Sequence, residues 1–138
     1  MQTVYRSTMD YSFGKRYMLK SKKTIDDIFK SGIHVKSYPF VAIIKFEEFE
    51  DEIPFKMVFS APKKKFRHAH TRNRIKRICK EAIRLNKHEL ENYLLNENKQ
   101  LAVFLVYSAP DEIHHSILQK KAVKLINTLI KTLDEQKH

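Results

Sequence analysis

The chain has 138 residues, of which 42% are apolar, and a formal net charge of +11. This length and composition predict one domain with a real core, and the positive charge favours nucleic acid or an anionic membrane as partner. No apolar run approaches the ~20 residues of a membrane helix, and no N-terminal stretch reads as a signal peptide. We therefore expect a cytoplasmic protein, and the basic helix described below predicts nucleic acid, and no membrane, as its partner. The single cysteine excludes an internal disulfide and a cysteine-rich zinc site.

The first predicted element is a short helix that follows a polar N-terminal tail. Residues 1–15 are polar and aperiodic, so we expect them to be loosely ordered and residues 16–138 to form the single domain. Ser21 has a side chain suited to capping the helix, and Gly32 suits the left-handed backbone position just past its end. One apolar face of this helix would pack on the rest of the domain.

Two strands are predicted next, at residues 38–46 and at Phe55–Ser60, because apolar residues alternate there with a period of two. Residues 47–52 lie between these strands and contain five acids in six residues, which is typical of a solvated hairpin connection. Pro62 would end the second strand because proline cannot donate to a sheet.

The second half of the chain predicts a helix, a strand and a helix. An amphipathic pattern runs from about residue 69 to at least 85 and can continue through residues 88–95. The apolar run Leu101–Tyr107 suits a strand that is covered on both sides or central in a sheet, and residues 113–133 again have apolar residues at helical spacing. This order of elements predicts an α+β domain in which helices pack against a small sheet.

The basic segment at residues 63–80 is the most informative functional signal, with nine Lys or Arg and no acid. At ~100° per residue, Ile75, Ile78 and Leu85 fall on one arc of the predicted helix, with Ile83 at its edge, and most cations fall on the other side. Because the apolar arc would anchor the helix on the core, the cations would form a fixed array that suits the phosphates of a structured nucleic acid.

No set of residues in the sequence predicts catalysis by this chain. His68 and His70 have no Cys, Asp or Glu near them that would complete a metal site, and His114 and His115 resemble surface residues. Cys79 lies on the apolar arc and is expected to be a buried thiol. There is no nucleophile elbow, glycine-rich phosphate loop or spaced carboxylate pair. We therefore predict no catalytic residue and no metal ligand in this chain.

Several classes of basic protein fit these features. An RNA-binding protein with a structural role, such as a ribosomal protein, fits the charge and the helix. A DNA-binding helix module fits less well, because no second helix stands at helix-turn-helix spacing. An independent nuclease lacks an acid–base or metal constellation.

The segment RNRIKR at residues 72–77 closely resembles the RNR signature of the bacterial ribonuclease P protein family. Other parts of the chain resemble that family in the same order. They are LKSKK at residues 19–23 with Ile25, Ile28, Phe29 and Gly32, then Phe40, Lys64 and Lys65, LAVFLVYSAP at residues 101–110, and the last helix. The resemblance covers residues 17–131.

The resemblance implies a three-layer α+β sandwich, in the order α-β-β-(β)-α-β-α, with a left-handed βαβ crossover that general topology rules would not favour. It implies an RNA-binding protein subunit that assists a catalytic RNA in the endonucleolytic removal of the 5′ leader from precursor tRNA. The chemistry would belong to the RNA, with Mg²⁺ expected for the holoenzyme and no cofactor held tightly by the protein. The catalytic RNA and the leader would be the partners, and no protein partner would be required.

The resemblance implies two groups of site residues, and the helical wheel supports the first of them. The RNA-binding group is Lys64, Lys65, Arg67, Arg72, Asn73, Arg74, Lys76, Arg77, Lys80 and Arg84. Three apolar residues would line or support a leader cleft between the sheet and a helix, namely Ile25, Phe29 and Phe40, with alternate side chains from the strand at residues 55–59. Core packing is the alternative role for these apolar residues.

Three positions depart from the family pattern. Arg67 stands where many members have glycine, which implies a different loop conformation. Lys80 replaces a common arginine, so a bidentate phosphate contact would become a point-charge contact. Ile25 stands where many members have phenylalanine, which weakens the case for base stacking at that position.

Overall fold

Among residues 12–136, which the computed structural model describes, four strands form one sheet and four α-helices pack against it. After a short 3-10 turn at Lys15–Tyr17, the elements are α1 (Lys22–Ser31), β1 (Ile33–Ser37), β2 (Phe40–Phe46), β3 (Phe55–Ser60), α2 (Ala69–Asn86), α3 (His88–Glu97), β4 (Leu101–Tyr107) and α4 (His115–Gln136). The predicted α+β class is confirmed. None of the helices in this part of the chain has the length and apolar character needed to cross a membrane.

The sheet has the strand order β1-β2-β4-β3. Strands β1 and β2 are antiparallel, β2 and β4 are antiparallel, and β3 and β4 are parallel. Parallel neighbours need a crossover connection, and α2 and α3 supply it. The predicted hairpin between β2 and β3 is wrong, because β4 lies between them; a local alternation pattern does not identify the partner of a strand. The handedness of the crossover stays a prediction.

The beginning of the fold shows one confirmed and one corrected expectation. The Ser21 side chain accepts a hydrogen bond from the Thr24 backbone N–H at 3.2 Å, as a helix cap should. Gly32 is extended, with φ −75°, and not left-handed as predicted. Glycine is required there for space, because a Cβ would lie 2.5 Å from the Ile28 carbonyl oxygen and 2.8 Å from a methyl group of Ile43.

The two faces of the sheet support two hydrophobic cores, which gives the three predicted layers. The main core packs one face, with Phe40 and Phe55 fully buried, against α2, α3 and α4. The smaller core packs Ile43 and Ala102 on the other face against Ile28 of α1. The predicted strand at residues 38–46 begins two residues later, at Phe40, because Tyr38 and Pro39 form the turn after β1, a strand that was not predicted.

Part of the predicted tail belongs to the main core. Phe13 is buried, with its ring 4.9 Å from Tyr17 and 6.0 Å from Phe55, so packing begins before residue 16. The Leu19 backbone N–H donates to the Met57 carbonyl at 3.1 Å, so the N-terminal segment partly covers the outer edge of β3. Residues 1–11, for which loose order was predicted, lie outside the described residues.

A buried ion pair, which no local sequence pattern predicted, fixes the junction between α2 and α3. Lys87 and Glu91 are both fully buried, and their Nζ and Oε1 atoms are 3.1 Å apart. The Tyr17 hydroxyl donates to Glu91 Oε2 at 2.5 Å, and the Lys87 ammonium lies 4.8 Å from the centre of the Tyr17 ring. Buried charges require such partners, so this cluster fixes the N-terminal segment against the helix that supports the site.

Candidate nucleic-acid interface

Helix α2 packs on the main core through a buried stripe that includes Ile75, Cys79, Ala82 and Ile83. The stripe is rotated from its predicted position, because Ile83 is fully buried while Ile78 is only partly buried. A helical wheel orders the side chains around the axis but does not show where the core lies. Burial raises the pKa of the Cys79 thiol to about 12, so it is the inert thiol that was predicted.

The rotation places Arg72 at the inner border of the cationic side. Its Nη1 donates to the carbonyl oxygens of Phe66 at 2.8 Å and Arg67 at 2.9 Å. These bonds fix the loop that enters α2, so Arg72 organises the site through the backbone. Arg67 needs no left-handed conformation, because Asn98 is the only residue with positive φ among the described non-glycine residues. The loop thus accommodates Arg67 without glycine.

Two further arginines of the predicted set are held by carboxylates. Arg74 donates two hydrogen bonds to Glu112, and Arg84 donates to Glu81 on the same helix. The hydrogen bonds, with the opposite charges, raise the pKa of both arginines and lower the pKa of both carboxyl groups. Because each positive charge is partly neutralised, these positions attract phosphate less strongly than a free arginine would.

The remaining cations of α2 line a groove beside β3. Lys76, Arg77 and Lys80 form no hydrogen bond or ion pair with the described residues, and Asn73 is exposed beside them. The groove, of about 370 Å³, has a floor of apolar side chains from β3 and the N-terminal segment. We call it the α2–β3 groove. Its lining residues are Met18, Leu19, Met57, Val58, Phe59, Lys76, Arg77 and Lys80.

The loop before α2 adds exposed lysines at the end of the sheet. Lys63, Lys64 and Lys65 are exposed, and the Lys65 ammonium donates to the Ser108 carbonyl oxygen at the end of β4. Phe66 is buried 6.0 Å from the Tyr107 ring and anchors the loop to the core. Lys64 is therefore available to a phosphate, and Lys65 is held close to the sheet.

The predicted leader cleft corresponds to the face of the sheet that α1 partly covers. Paired residues on neighbouring strands share a face, so the register places one row of side chains across all four strands. This open row consists of Lys36, Val41, Val106 and Ser60. Lys36 is exposed and the other three are partly exposed, so α1 leaves the row accessible to solvent.

The three predicted cleft residues occupy different positions. Phe29 of α1 is 53% exposed, and its ring lies 4.7 Å from that of Phe104 in the neighbouring row, so it borders the cleft. Ile25 is partly buried against the smaller core. Phe40 is fully buried in the main core on the opposite face, so it can support the sheet but does not line the cleft. From β3, Val58 and Ser60 rather than Phe55 face this side.

Sequence reasoning missed Tyr107 and Glu112, which together position Arg74. The Tyr107 hydroxyl donates to the Asp111 carbonyl at 2.6 Å and accepts from the Ile113 N–H at 3.0 Å, which holds Glu112 in place. The pKa of the Tyr107 hydroxyl is raised to about 12, mainly because the group is partly buried. Within residues 12–136, no group of three or more His, Cys, Asp or Glu side chains could hold a metal ion.

Comparison with known proteins relates most of the chain to one family. The family model Ribonuclease P matches residues 13–130. The Ribonuclease P protein component of Porphyromonas gingivalis is 32% identical over 107 residues, which cover 78% of this chain and 77% of that protein. The protein of the same name from Pseudoalteromonas translucida is 29% identical over 116 residues, covering 84% and 76%.

Two solved structures have the same fold. The RNase P protein from Thermotoga maritima aligns with a TM-score of 0.63 at 18% identity and covers 79% of this chain and 94% of that one. The Staphylococcus aureus RNase P protein aligns with a TM-score of 0.58 at 19% identity, covering 80% and 93%. At these identities the structures establish the architecture, including the sheet beside which α1 and α2 lie.

Proposed function

Because the chain belongs to the ribonuclease P protein family, we propose that it holds the catalytic RNA through α2 and the 5′ leader of precursor tRNA in the cleft beside α1. It is the RNA-binding protein subunit of ribonuclease P, and the enzyme it serves removes the 5′ leader endonucleolytically. The match to the family over residues 13–130 disfavours a ribosomal role.

The unpaired cations in the α2–β3 groove are the observation that carries the proposal for the catalytic RNA. Lys76, Arg77 and Lys80 stand on a helix whose other face is buried, so their backbone positions are already fixed before RNA binds. Each phosphate that they neutralise releases counterions, which favours binding to a densely charged RNA. Asn73 has both a donor and an acceptor for a base edge or a 2′-hydroxyl.

The open row supports the proposal that the leader binds as a single strand. Val41 and Val106 form an apolar floor, the exposed Phe29 ring stands beside it, and Lys36 lies at its edge. Unpaired bases can stack on such rings and pack on such floors, and lysines can contact the phosphates between them. A base-paired leader would not offer its base faces to this surface.

We propose an electrostatic role for the protein in the reaction. Catalytic RNA and precursor tRNA are both polyanions, so they repel each other at close approach, and a cationic protein between them lowers that repulsion. The described residues do not fit a metal site, so we propose that the Mg²⁺ expected for the holoenzyme binds to the RNA. The protein would then lower the Mg²⁺ concentration at which cleavage occurs.

Reconstitution tests this proposal. The protein is mixed with its cognate catalytic RNA at low Mg²⁺ concentration, and the cleavage of precursor tRNA is compared with that by the RNA alone and by the protein alone. We expect cleavage by the mixture and none by the protein. Absence of stimulation over RNA alone would contradict the proposal, and cleavage by the protein alone would indicate an independent nuclease.

A further inference from the structure

Tyr38 is an exposed aromatic residue that neither proposed RNA surface includes. Its side chain is 59% exposed, more than any other large hydrophobic residue among those described. It forms no ring contact and no hydrogen bond within the described part of the chain. Single exposed hydrophobic residues are common, so the surroundings must decide whether this ring has a role.

The backbone that carries Tyr38 is held firmly at the end of the sheet. The next residue, Pro39, is buried, and its carbonyl accepts hydrogen bonds from the Ser108 N–H at 2.7 Å and the Ser108 hydroxyl at 3.0 Å. Phe40 follows and is fully buried. The ring therefore projects from a fixed turn, and a partner that stacks on it would not have to order the backbone first.

Cations surround this turn. The Lys65 ammonium donates to the Ser108 carbonyl, and Ser108 in turn bonds to Pro39, so Lys65 lies close to the turn. Lys36 is exposed two residues before Tyr38, with the buried Ser37 between them. Phe40, two residues after Tyr38, pairs with Tyr107, which places the turn beside the end of β4 as well.

Tyr38 also lies in line with the leader cleft. Phe29 packs on Phe104 of β4, and Ser108, just after β4, holds the Tyr38–Pro39 turn. Phe104 and Ser108 are four residues apart along the strand, a distance of about 13 Å. Val106 of the open row lies between them. The exposed rings of Phe29 and Tyr38 thus lie at the two ends of a row of apolar side chains, and lysines lie near the Tyr38 end.

We propose that the Tyr38 ring is a stacking platform for one unpaired nucleobase, with Lys36 and Lys65 beside the adjoining phosphates. The combination of an exposed ring and neighbouring cations is the one that binds single-stranded nucleic acid without reading its sequence. The inference rests on the proposed function, and the base belongs either to the leader or to the catalytic RNA. In either source the recognised chemistry is the same, an unstacked base with its flanking phosphates.

Three variants test this inference. Tyr38→Ala removes the ring, Tyr38→Phe keeps it without the hydroxyl, and Val123→Ala removes an exposed apolar side chain of α4 that no proposed surface includes. Affinity is measured for the catalytic RNA alone, and, with the assembled holoenzyme, for tRNA with and without a 5′ leader. We expect Tyr38→Ala to weaken one of these by about 5- to 150-fold and the other two variants to resemble the wild type.

The pattern of losses identifies the source of the base. Weaker binding to the catalytic RNA places the base there, and weaker binding only to leader-bearing tRNA places it in the leader. Suppose that the wild-type protein stimulates cleavage as proposed. The inference is then overturned if Tyr38→Ala leaves all the measured affinities unchanged, or if Val123→Ala causes an equal loss of affinity. If the wild-type protein binds neither RNA, the proposed function fails and the inference fails with it.

Discussion

Arg74 on α2 and Glu112 just before α4 form an ion pair with two hydrogen bonds, from Nε to Oε1 at 2.9 Å and from Nη2 to Oε2 at 2.6 Å. The pair divides the cations of α2 into two groups. Arg74 connects two helices of the protein, whereas Arg77 faces the α2–β3 groove and has no partner among the described residues. Residues of one signature segment therefore have different physical roles.

The first prediction concerns the salt dependence of binding to the catalytic RNA. Arg77→Gln should reduce the slope of log K against log salt by about 0.7–0.9, because one phosphate contact is lost. Arg74→Gln should leave the slope near that of the wild type, because its charge is already engaged by Glu112. Binding is measured over a series of salt concentrations. Equal reductions in slope for the two variants would show that Arg74 also contacts phosphate.

The second prediction concerns the pH dependence of stability. The hydrogen bond and charge of Arg74 lower the pKa of Glu112 below the ordinary 4.5, so the pair contributes stability above the unfolded-state pKa and loses it as pH falls through the folded-state pKa. Glu112→Gln should therefore be less stable than the wild type at neutral pH, with the difference vanishing in acid. Both side chains are partly exposed, so the difference should be small and should shrink with salt.

Urea unfolding of both proteins at neutral pH and at pH values below the ordinary carboxyl range measures this difference. A difference in unfolding free energy that stays constant from neutral to acidic pH would contradict the assignment to ionised Glu112. The matched variant Glu81→Gln reports on the other surface pair and should leave the Arg74–Glu112 contribution unchanged.

The third prediction concerns the buried pair at the junction of α2 and α3. Lys87→Met should destabilise the protein by about 3–5 kcal/mol, because it leaves Glu91 charged and buried without its cation. The double variant Lys87→Met with Glu91→Leu should recover much of that loss, since no uncompensated charge remains. Chemical denaturation of the three proteins gives the free energies of unfolding. A double variant that is no more stable than Lys87→Met would refute this explanation.

The fourth prediction concerns Phe29 at the border of the cleft. Phe29→Ala should weaken holoenzyme binding to leader-bearing tRNA by about 1–3 kcal/mol if one base stacks on the ring, and should leave leaderless tRNA unaffected. Ile117→Ala, which removes a side chain of similar exposure on α4, is the control. A Phe29 variant that loses thermal stability but still distinguishes the two tRNAs would identify Phe29 as a packing residue only.

Local sequence patterns predicted the elements that carry the site. The apolar spacing of residues 69–85 predicted α2, and the continuous apolar run predicted β4 as the strand with a partner on each side. These predictions succeeded because burial of one helix face or of a whole strand leaves a periodic trace in the sequence. The Ser21 cap left an equally local trace.

Features that depend on distant residues were not predictable in the same way. Glu112 is 38 residues from Arg74 in sequence, and no local rule pairs them. The same holds for Tyr17 and Glu91, which are 74 residues apart. Phe40 was placed near the cleft by the resemblance to the family, but only the structure shows that its side chain enters the main core. The sequence therefore predicted the cationic helix, but it did not show which of the cations on that helix lack a partner among the described residues.

In the proposed function, α2 contacts the catalytic RNA while the cleft beside α1 contacts the leader. Because Cys79 is buried and its thiol has a raised pKa, a cysteine introduced on the surface can carry a radical-generating iron chelate without labelling of the native thiol. We would place the chelate at Glu81→Cys, beside Lys80, and at Lys30→Cys, beside Phe29, in the assembled holoenzyme with bound precursor tRNA. We expect strand scission in the catalytic RNA from position 81 and in the leader from position 30. Scission of the leader from position 81 and not from position 30 would contradict the proposed function.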